Sequence, residues 1–148
     1  MLFFLRFILL IQIILCQSPL VDRYHTYNDI VDSLFIWEQN FSNNIAPSSY
    51  YPGSGIIYQL EEIGQSNVDN LPIYAVKLSY NADQDLDKPK VLILGQCHAE
   101  EILGIEITME LIRRFLYPQD YPLDYQTLIG SLNFVEIWVI PTHNPEGL

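Results

Sequence analysis

Two residues with the chemistry of metal ligands lie three positions apart in the second half of the chain. His98 and Glu101 belong to the segment Gly-Gln-Cys-His-Ala-Glu-Glu at positions 95–101. Zinc accepts both an imidazole nitrogen and a carboxylate oxygen, at about 2.0–2.2 Å. A spacing of three residues, across a loop and the first turn of a helix, lets the two side chains converge on one ion. The pair also allows a structural interpretation, in which His98 caps a helix and Glu101 interacts with the helix dipole.

The other cysteine and histidine side chains are weaker candidates. Cys97 is next to His98, and adjacent residues on an extended segment point to opposite sides, which predicts a buried or half-buried thiol. His25 and His143 lack a metal-ligand spacing to His98, so we expect surface or capping roles for both. Zinc deaminases share a His-x-Glu pattern with residues 98–100, but the Pro-Cys-x-x-Cys that they also require does not occur in these 148 residues.

The elements around the pair predict where it lies in a fold. The continuous apolar run at 91–95 is typical of a strand that is buried on both faces. A helix is predicted over 100–117, with an apolar stripe at Ile102, Ile105, Met109, Ile112 and Leu116. A second apolar run at 134–140 predicts a parallel strand closed by Pro141. Strand, helix and strand in this order indicate an α/β fold. In such folds ligands bind beyond the carboxyl ends of the strands, which is where His98 follows the first run.

The first half of the chain predicts further elements of the same fold. Thr26 and Asp29 have the spacing of a capping box at the start of a helix. The predicted order is a helix over 27–40, a loop over 43–53, and two antiparallel strands over 56–63 and 73–78.

The first 17 residues predict a signal peptide. A mostly apolar segment with one arginine is followed by Gln17 and Ser18, and cleavage is expected near Cys16 or Ser18. The segment is shorter than the roughly 20 residues of a membrane span. We therefore expect a secreted protein without a stable membrane span. A lipid anchor on Cys16 and an uncleaved anchor remain as alternatives, although Leu15 is bulky for a lipidation site.

Composition and charge exclude some classes of protein. The content of 49% hydrophobic and 17% charged residues is typical of a globular domain. A net charge of −11 repels phosphate backbones, so nucleic-acid binding is not expected. The chain has only two cysteines, which excludes a small domain held together by disulfides.

Two segments resemble motifs of one enzyme family. Residues 95–101 resemble the Gly-x-x-His-Ala-x-Glu segment of zinc carboxypeptidases of the A and B type. The segment Pro-Thr-His-Asn-Pro-Glu-Gly at 141–147 resembles that family's Pro-x-x-Asn-Pro-Asp-Gly, with Glu146 in place of the usual Asp. A helix and a strand lie between them in the family's order. The resemblance extends from about Tyr24 to the last residue.

The resemblance implies a fold and a metal site. It implies an α/β/α sandwich around a mixed, largely parallel sheet, of which residues 18–148 would be the N-terminal, incomplete part of a catalytic domain. One Zn²⁺ per complete domain is implied, with His98 and Glu101 as the first two ligands. The third ligand, the arginines that hold substrate and the general-base glutamate are expected beyond Leu148. Three residues correspond to a structural turn near the cleft, namely Asn144, Pro145 and Gly147.

The implied activity is removal of C-terminal residues from peptides and proteins, which are the expected partners. An acyl-amino-acid deacylase of the aspartoacylase type is an alternative, but such enzymes typically have glycine where Ala99 stands. A secreted binding module without catalytic activity is the second alternative, and it requires the second zinc histidine or the base glutamate to be missing from the whole protein. The sequence determines neither the oligomeric state nor the side-chain preference.

Overall fold

The structure, a computed structural model, describes residues 24–42 and 55–148. The predicted signal peptide and the predicted loop over 43–53 lie outside these residues. The helices and strands, in chain order, are α1 (Tyr27–Phe41), β1 (Tyr58–Gln65), β2 (Pro72–Leu78), β3 (Lys90–Gln96), α2 (Ile102–Leu116), α3 (Tyr125–Phe134) and β4 (Glu136–Thr142). Two short 3₁₀ turns follow α2 and β4, at Pro118–Asp120 and Pro145–Gly147. None of the helices described is long and apolar enough to cross a bilayer.

The strands form one mixed sheet with the order β1-β2-β4-β3. β2 is antiparallel to both of its neighbours, whereas β3 and β4 are parallel. This confirms the predicted hairpin and the predicted strand-helix-strand unit, and with them the α/β class. β1, β3 and β4 run in the same direction, so their carboxyl ends meet at one edge of the sheet.

The helices of the described region cover one face of this sheet. Residues paired across neighbouring strands lie on the same face, which places Tyr58, Leu78, Ile137 and Val91 together. The buried core combines this face with apolar residues of all three helices: Ile30, Leu34, Ile105, Met109, Ile112, Leu116, Leu128, Ile129 and Leu132. The predicted stripe of α2 is therefore confirmed at Ile105, Met109, Ile112 and Leu116, whereas Ile102 in the first turn is only partly buried. In the part of the chain that is described, the opposite face of the sheet has no helical layer.

β3 is an edge strand, and this corrects the prediction that it is buried on both faces. Val91, Leu92 and Leu94 are 44%, 61% and 51% exposed. In the described residues β3 pairs only with β4, and Leu92 and Leu94 lie on the uncovered face. The apolar run correctly predicted a strand. Among the described residues, however, no second strand pairs with β3 and no helix covers Leu92 and Leu94.

Local sequence signals set the position of α1 accurately. The amide of Asp29 donates to Thr26 Oγ1 over 3.3 Å, and the amide of Thr26 donates to Asp29 Oδ2 over 2.9 Å, which completes the predicted capping box. The hydroxyl of Tyr58 then donates to the carbonyl oxygen of Leu34 over 2.9 Å, which fixes α1 against β1.

The sequence pattern does not predict α3. The apolar run at 134–140 predicts a strand that begins at residue 134, whereas α3 ends at Phe134 and β4 begins at Glu136. With ten residues and a glycine at position 130, α3 lacks the long periodic stripe that identifies α2. Its burial against the core, rather than its own pattern, stabilises it as a helix.

Candidate metal centre

Both sequence motifs lie at the end of the sheet where the carboxyl ends of β3 and β4 meet. The segment 97–101 follows β3, and the segment 143–147 follows β4. β4 continues past Pro141, contrary to the prediction, and its ladder with β3 resumes at the pair Gln96 and Thr142. Proline has no amide to donate, so the ladder skips that one position and the strand does not end there.

A close contact between glycines brings the start of α2 against the end of β3. A Cβ atom on Gly104 would lie 2.9 Å from the carbonyl carbon of Gly95, and a Cβ atom on Gly95 would collide with the carbonyl oxygen of Pro141. Real Cβ atoms do not approach other atoms so closely, so both positions require glycine. The loop between these glycines, which includes His98 and Glu101, is consequently short and tightly anchored at both ends.

The side chains of His98 and Glu101 face each other across this loop. His98 Nδ1 lies 2.9 Å from Glu101 Oε1. The other carboxylate oxygen, Oε2, accepts the amides of Cys97 and His98, each over 3.0 Å. Glu101 immediately precedes α2, whereas the predicted helix over 100–117 placed it in the first turn, and its carboxylate points back to the loop. The structure therefore brings the two predicted ligands together.

The charges of the pair reinforce each other. The hydrogen bond to Glu101, and then its negative charge, raise the pKa of His98 above its ordinary value. The hydrogen bonds from the imidazole and from the amides of His98 and Cys97 lower the pKa of Glu101 to about 2. Glu101 is therefore ionised at neutral pH, as a metal ligand must be, and an imidazole coordinates a metal in its neutral form.

The donor atoms fit part of a zinc site. Two ligands of a tetrahedral zinc ion lie about 3.3 Å apart when their bonds are about 2.0–2.1 Å. The observed 2.9 Å between Nδ1 and Oε1 requires only a small outward rotation to reach that separation. Both side chains are accessible, with exposed fractions of 66% for His98 and 45% for Glu101. Within the described ranges no group of three His, Cys, Asp or Glu side chains forms a complete metal site.

The second motif contacts the first directly. Asn144 Nδ2 donates to the carbonyl oxygen of Cys97 over 3.0 Å, and the amide of Asn144 donates to Thr142 Oγ1 over 3.1 Å. The hydroxyl of Thr142 donates to Gln96 Oε1, and Gln96 is fully buried. These bonds join the ends of β3 and β4 to the loop that includes His98.

Gly147 leaves the space that this arrangement needs. A Cβ atom at this position would lie 2.9 Å from Asn144 Nδ2 and 3.1 Å from Gln96 Nε2. The turn that includes Asn144, Pro145 and Gly147 therefore packs beside the loop at 97–101.

Glu146 has a role that sequence reasoning missed. Its Oε1 atom accepts the amides of Val68 and Asp69 in the β1–β2 turn, both over 2.8 Å. The hydrogen bond from Ser66, followed by those two amides, lowers the pKa of Glu146. The motif resemblance identified Glu146 only as a departure from Asp, because nothing local indicates a contact with residues nearly 80 positions earlier.

The structure shows the surroundings of Cys97, His25 and His143. Cys97 is exposed, so the prediction of a buried or half-buried thiol is wrong, because the loop stands out from the sheet edge instead of continuing the strand. His25 Nδ1 contacts Glu106 Oε2 at 2.9 Å, which ties the segment before α1 to α2. The amide of His143 donates to the carbonyl oxygen of Gln96 over 3.3 Å.

Comparison with known proteins identifies the family. The sequence profile described as "Zinc carboxypeptidase" matches residues 54–148. The chain belongs to the zinc carboxypeptidase family. A zinc carboxypeptidase of Saccharothrix mutabilis subsp. capreolus is 30% identical over 92 residues, which are 62% of this chain and 20% of that protein. The carboxypeptidase N catalytic chain of Homo sapiens is 26% identical over 145 residues, which are 97% of this chain and 28% of that protein.

Solved structures of carboxypeptidases share the fold. The thrombin activatable fibrinolysis inhibitor superposes with a TM-score of 0.65 at 17% identity, over 84% of this chain and 26% of that one. Carboxypeptidase A from Helicoverpa armigera superposes with a TM-score of 0.61 at 20% identity, over 82% of this chain and 25% of that one. The zinc carboxypeptidase fold is thus present in part, since the chain spans 20% to 28% of the length of the relatives it matches.

Proposed function

We propose that the whole protein is a zinc-dependent metallocarboxypeptidase that hydrolyses C-terminal residues from peptides and proteins, and that it is secreted. The observation that carries this proposal is the 2.9 Å approach of His98 Nδ1 and Glu101 Oε1 at the carboxyl edge of the sheet. Membership of the zinc carboxypeptidase family supports it. For export, the support is the apolar segment at the start of the sequence.

His98 and Glu101 would hold the zinc ion. When bound, zinc supplies a Lewis acid that polarises a peptide carbonyl and makes a water molecule more acidic. Glu101 contributes a fixed negative charge, because its carboxylate is oriented by two amides and is ionised at neutral pH. His98 would contribute a neutral imidazole nitrogen, the form in which histidine binds a metal. We expect a third ligand and a general base elsewhere in the domain, since a catalytic zinc site has three protein ligands and a water-activating group.

The test is a comparison of zinc content and peptidase activity in the full-length protein. His98→Ala and Glu101→Ala should both lose zinc and nearly all release of C-terminal residues from blocked dipeptides. Metal content should be measured by mass spectrometry and activity with and without a chelator. His143→Ala is the matched control, because His143 follows β4 at the same end of the sheet and its hydrogen bond is to Gln96, not to the pair, and it should keep its zinc.

Two results would contradict the proposal. Unchanged zinc content in both His98→Ala and Glu101→Ala would show that the metal assignment is wrong. A wild-type protein that binds zinc through these residues but releases no C-terminal residue from a panel of acidic, basic and apolar substrates would show that the proposed reaction is wrong.

A further inference from the structure

A chain of hydrogen bonds connects the interior of the sheet to the loop at 97–101, which includes His98 and Glu101 and is called the metal loop below. It begins at Gln96, which is 0% exposed and lies at the end of β3. Gln96 Oε1 accepts the hydroxyl of Thr142 at the end of β4, and Thr142 Oγ1 accepts the amide of Asn144. Asn144 Nδ2 then donates to the carbonyl oxygen of Cys97 over 3.0 Å. The chain thus passes from the end of β3 to the end of β4 and returns, through Asn144, to the peptide group before His98.

That peptide group is held at both of its polar ends. Its carbonyl oxygen, on Cys97, accepts from Asn144, and its amide, on His98, donates to Glu101 Oε2 over 3.0 Å. Fixing both ends fixes the rotation of the peptide plane, and with it the direction in which the His98 side chain leaves the backbone. Glu101 is itself an expected zinc ligand, whereas Asn144 is not. Asn144 can therefore hold the peptide group whether or not the metal is bound.

We propose that Asn144 is a positioning residue for the zinc ligand His98, and that buried Gln96 and Thr142 hold Asn144 in place. This inference rests on the proposed zinc site. It assigns to the Asn-Pro-x-Gly turn a role in metal affinity, beyond the shape of the cleft. Gly147 is part of the same arrangement, because a Cβ atom there would lie 2.9 Å from Asn144 Nδ2 and displace this hydrogen-bond donor.

The first experiment measures metal binding by the full-length protein with Zn²⁺ and Co²⁺ as probes. Asn144→Ala should weaken zinc binding and raise the dissociation constant about 10–100-fold, which is the usual effect of removing a residue that orients a ligand. The visible absorption bands of the Co²⁺-loaded protein should shift, because the ligand direction changes. Asn133→Ala is the matched control, since Asn133 is exposed on α3, and it should change neither quantity.

A second pair of variants separates positioning from folding. Thr142→Ser keeps the hydroxyl and should bind zinc like the wild type, whereas Thr142→Val has a similar shape without the hydroxyl and should weaken zinc binding. In the metal-free protein, hydrogen exchange at the amide of His98 should be faster in Thr142→Val than in Thr142→Ser.

The outcomes distinguish this inference from the proposed function. A folded Asn144→Ala protein with the wild-type dissociation constant and Co²⁺ spectrum would overturn the inference, while loss of zinc in His98→Ala would leave the proposed function standing. If Asn144→Ala does not fold, equal zinc binding by Thr142→Val and Thr142→Ser would overturn the inference instead. A wild-type protein that binds no zinc would overturn the proposed function and this inference with it.

Discussion

Gly104, near the start of α2, lies against the backbone of Gly95 at the end of β3, so closely that a Cβ atom on Gly104 would stand 2.9 Å from the carbonyl carbon of Gly95. This contact determines how near the helix comes to the strand that precedes the metal loop. The contact makes glycine the better residue at position 104, although alanine in a helix interior is otherwise more favourable than glycine by about 0.8–1.0 kcal/mol.

We expect Gly104→Ala to destabilise the full-length protein by about 1–3 kcal/mol, because overpacking outweighs the gain in helix propensity. Gly130→Ala is the matched control: apart from its chain neighbours and the backbone of its own helix, no atom lies within 4 Å of its Cβ position in α3, so it should stabilise by about 0.5–1 kcal/mol. Denaturant unfolding of both variants measures the two effects. Equal stabilisation by both substitutions would show that the contact at Gly104 does not constrain the helix.

A buried ion pair lies at the other end of the sheet. Lys77 Nζ is 3.3 Å from Glu136 Oε1, and the two side chains are 6% and 1% exposed. Replacing Glu136 with glutamine leaves the ammonium of Lys77 buried without its counter-charge. We expect Glu136→Gln to cost about 3–5 kcal/mol in the free energy of unfolding at neutral pH. Glu62→Gln, at an exposed position of β1, should cost far less.

The same pair predicts a pH dependence of stability. Burial raises the pKa of Glu136, but the hydrogen bond and charge of Lys77 and the charge of Lys90 outweigh burial and hold the pKa below its ordinary 4.5. A lowered folded-state pKa contributes stability that is complete above pH 4.5 and is lost as the pH falls through the folded value. The stability difference between wild type and Glu136→Gln should therefore shrink with acidification below pH 4.5. A difference that is constant from pH 7 to the acid range would refute this.

A protein made of residues 18–148 alone should not be an active peptidase. We expect the third zinc ligand and the general base outside these residues, so that the three-ligand catalytic zinc site would be incomplete. Refolding with zinc and assaying blocked dipeptides should give no turnover above the His98→Ala background. Zinc-dependent turnover well above that background, from a soluble monomer, would contradict this prediction.

The same protein should self-associate through the open side of its sheet. Leu92 and Leu94 are 61% and 51% exposed on β3, and β3 has one unpaired edge within the described residues. Replacing both leucines with lysine should shift the elution on size exclusion towards the monomer. Leu123→Lys is the control, because Leu123 is 98% exposed but lies away from the sheet, and it should leave association unchanged. Equal association of all three proteins would exclude the sheet as the contact surface.

Export can be tested at the N-terminus of secreted material. The apolar segment that ends near Leu15 predicts that N-terminal sequencing begins near residues 17–20. Recovery of Met1 on exported protein would show that the segment is retained. These residues lie outside the part of the chain that the structure describes.

Local patterns in the sequence determined a large part of this fold. The capping box at Thr26 and Asp29 located α1 to within one residue, and the apolar stripe located α2 and its buried face. The spacing of His98 and Glu101 predicted that their side chains converge, and they do so because both residues belong to one short loop. Signals of this kind act over three or four positions, so the sequence displays them directly.

Contacts between distant residues decided the rest, and no local pattern reports them. β3 is an exposed edge because only β4 pairs with it in the described region, although its apolar run predicts burial. The bond from Asn144 to Cys97 spans 47 positions, and the bond from Glu146 to Val68 spans 78. The sequence by itself indicated His98 and Glu101 as candidate metal ligands, and it predicted every helix and strand of the described region except α3. Tertiary structure decided what holds those residues in place, because only the packing of β3, β4 and the β1–β2 turn at one edge brings the donors and acceptors together.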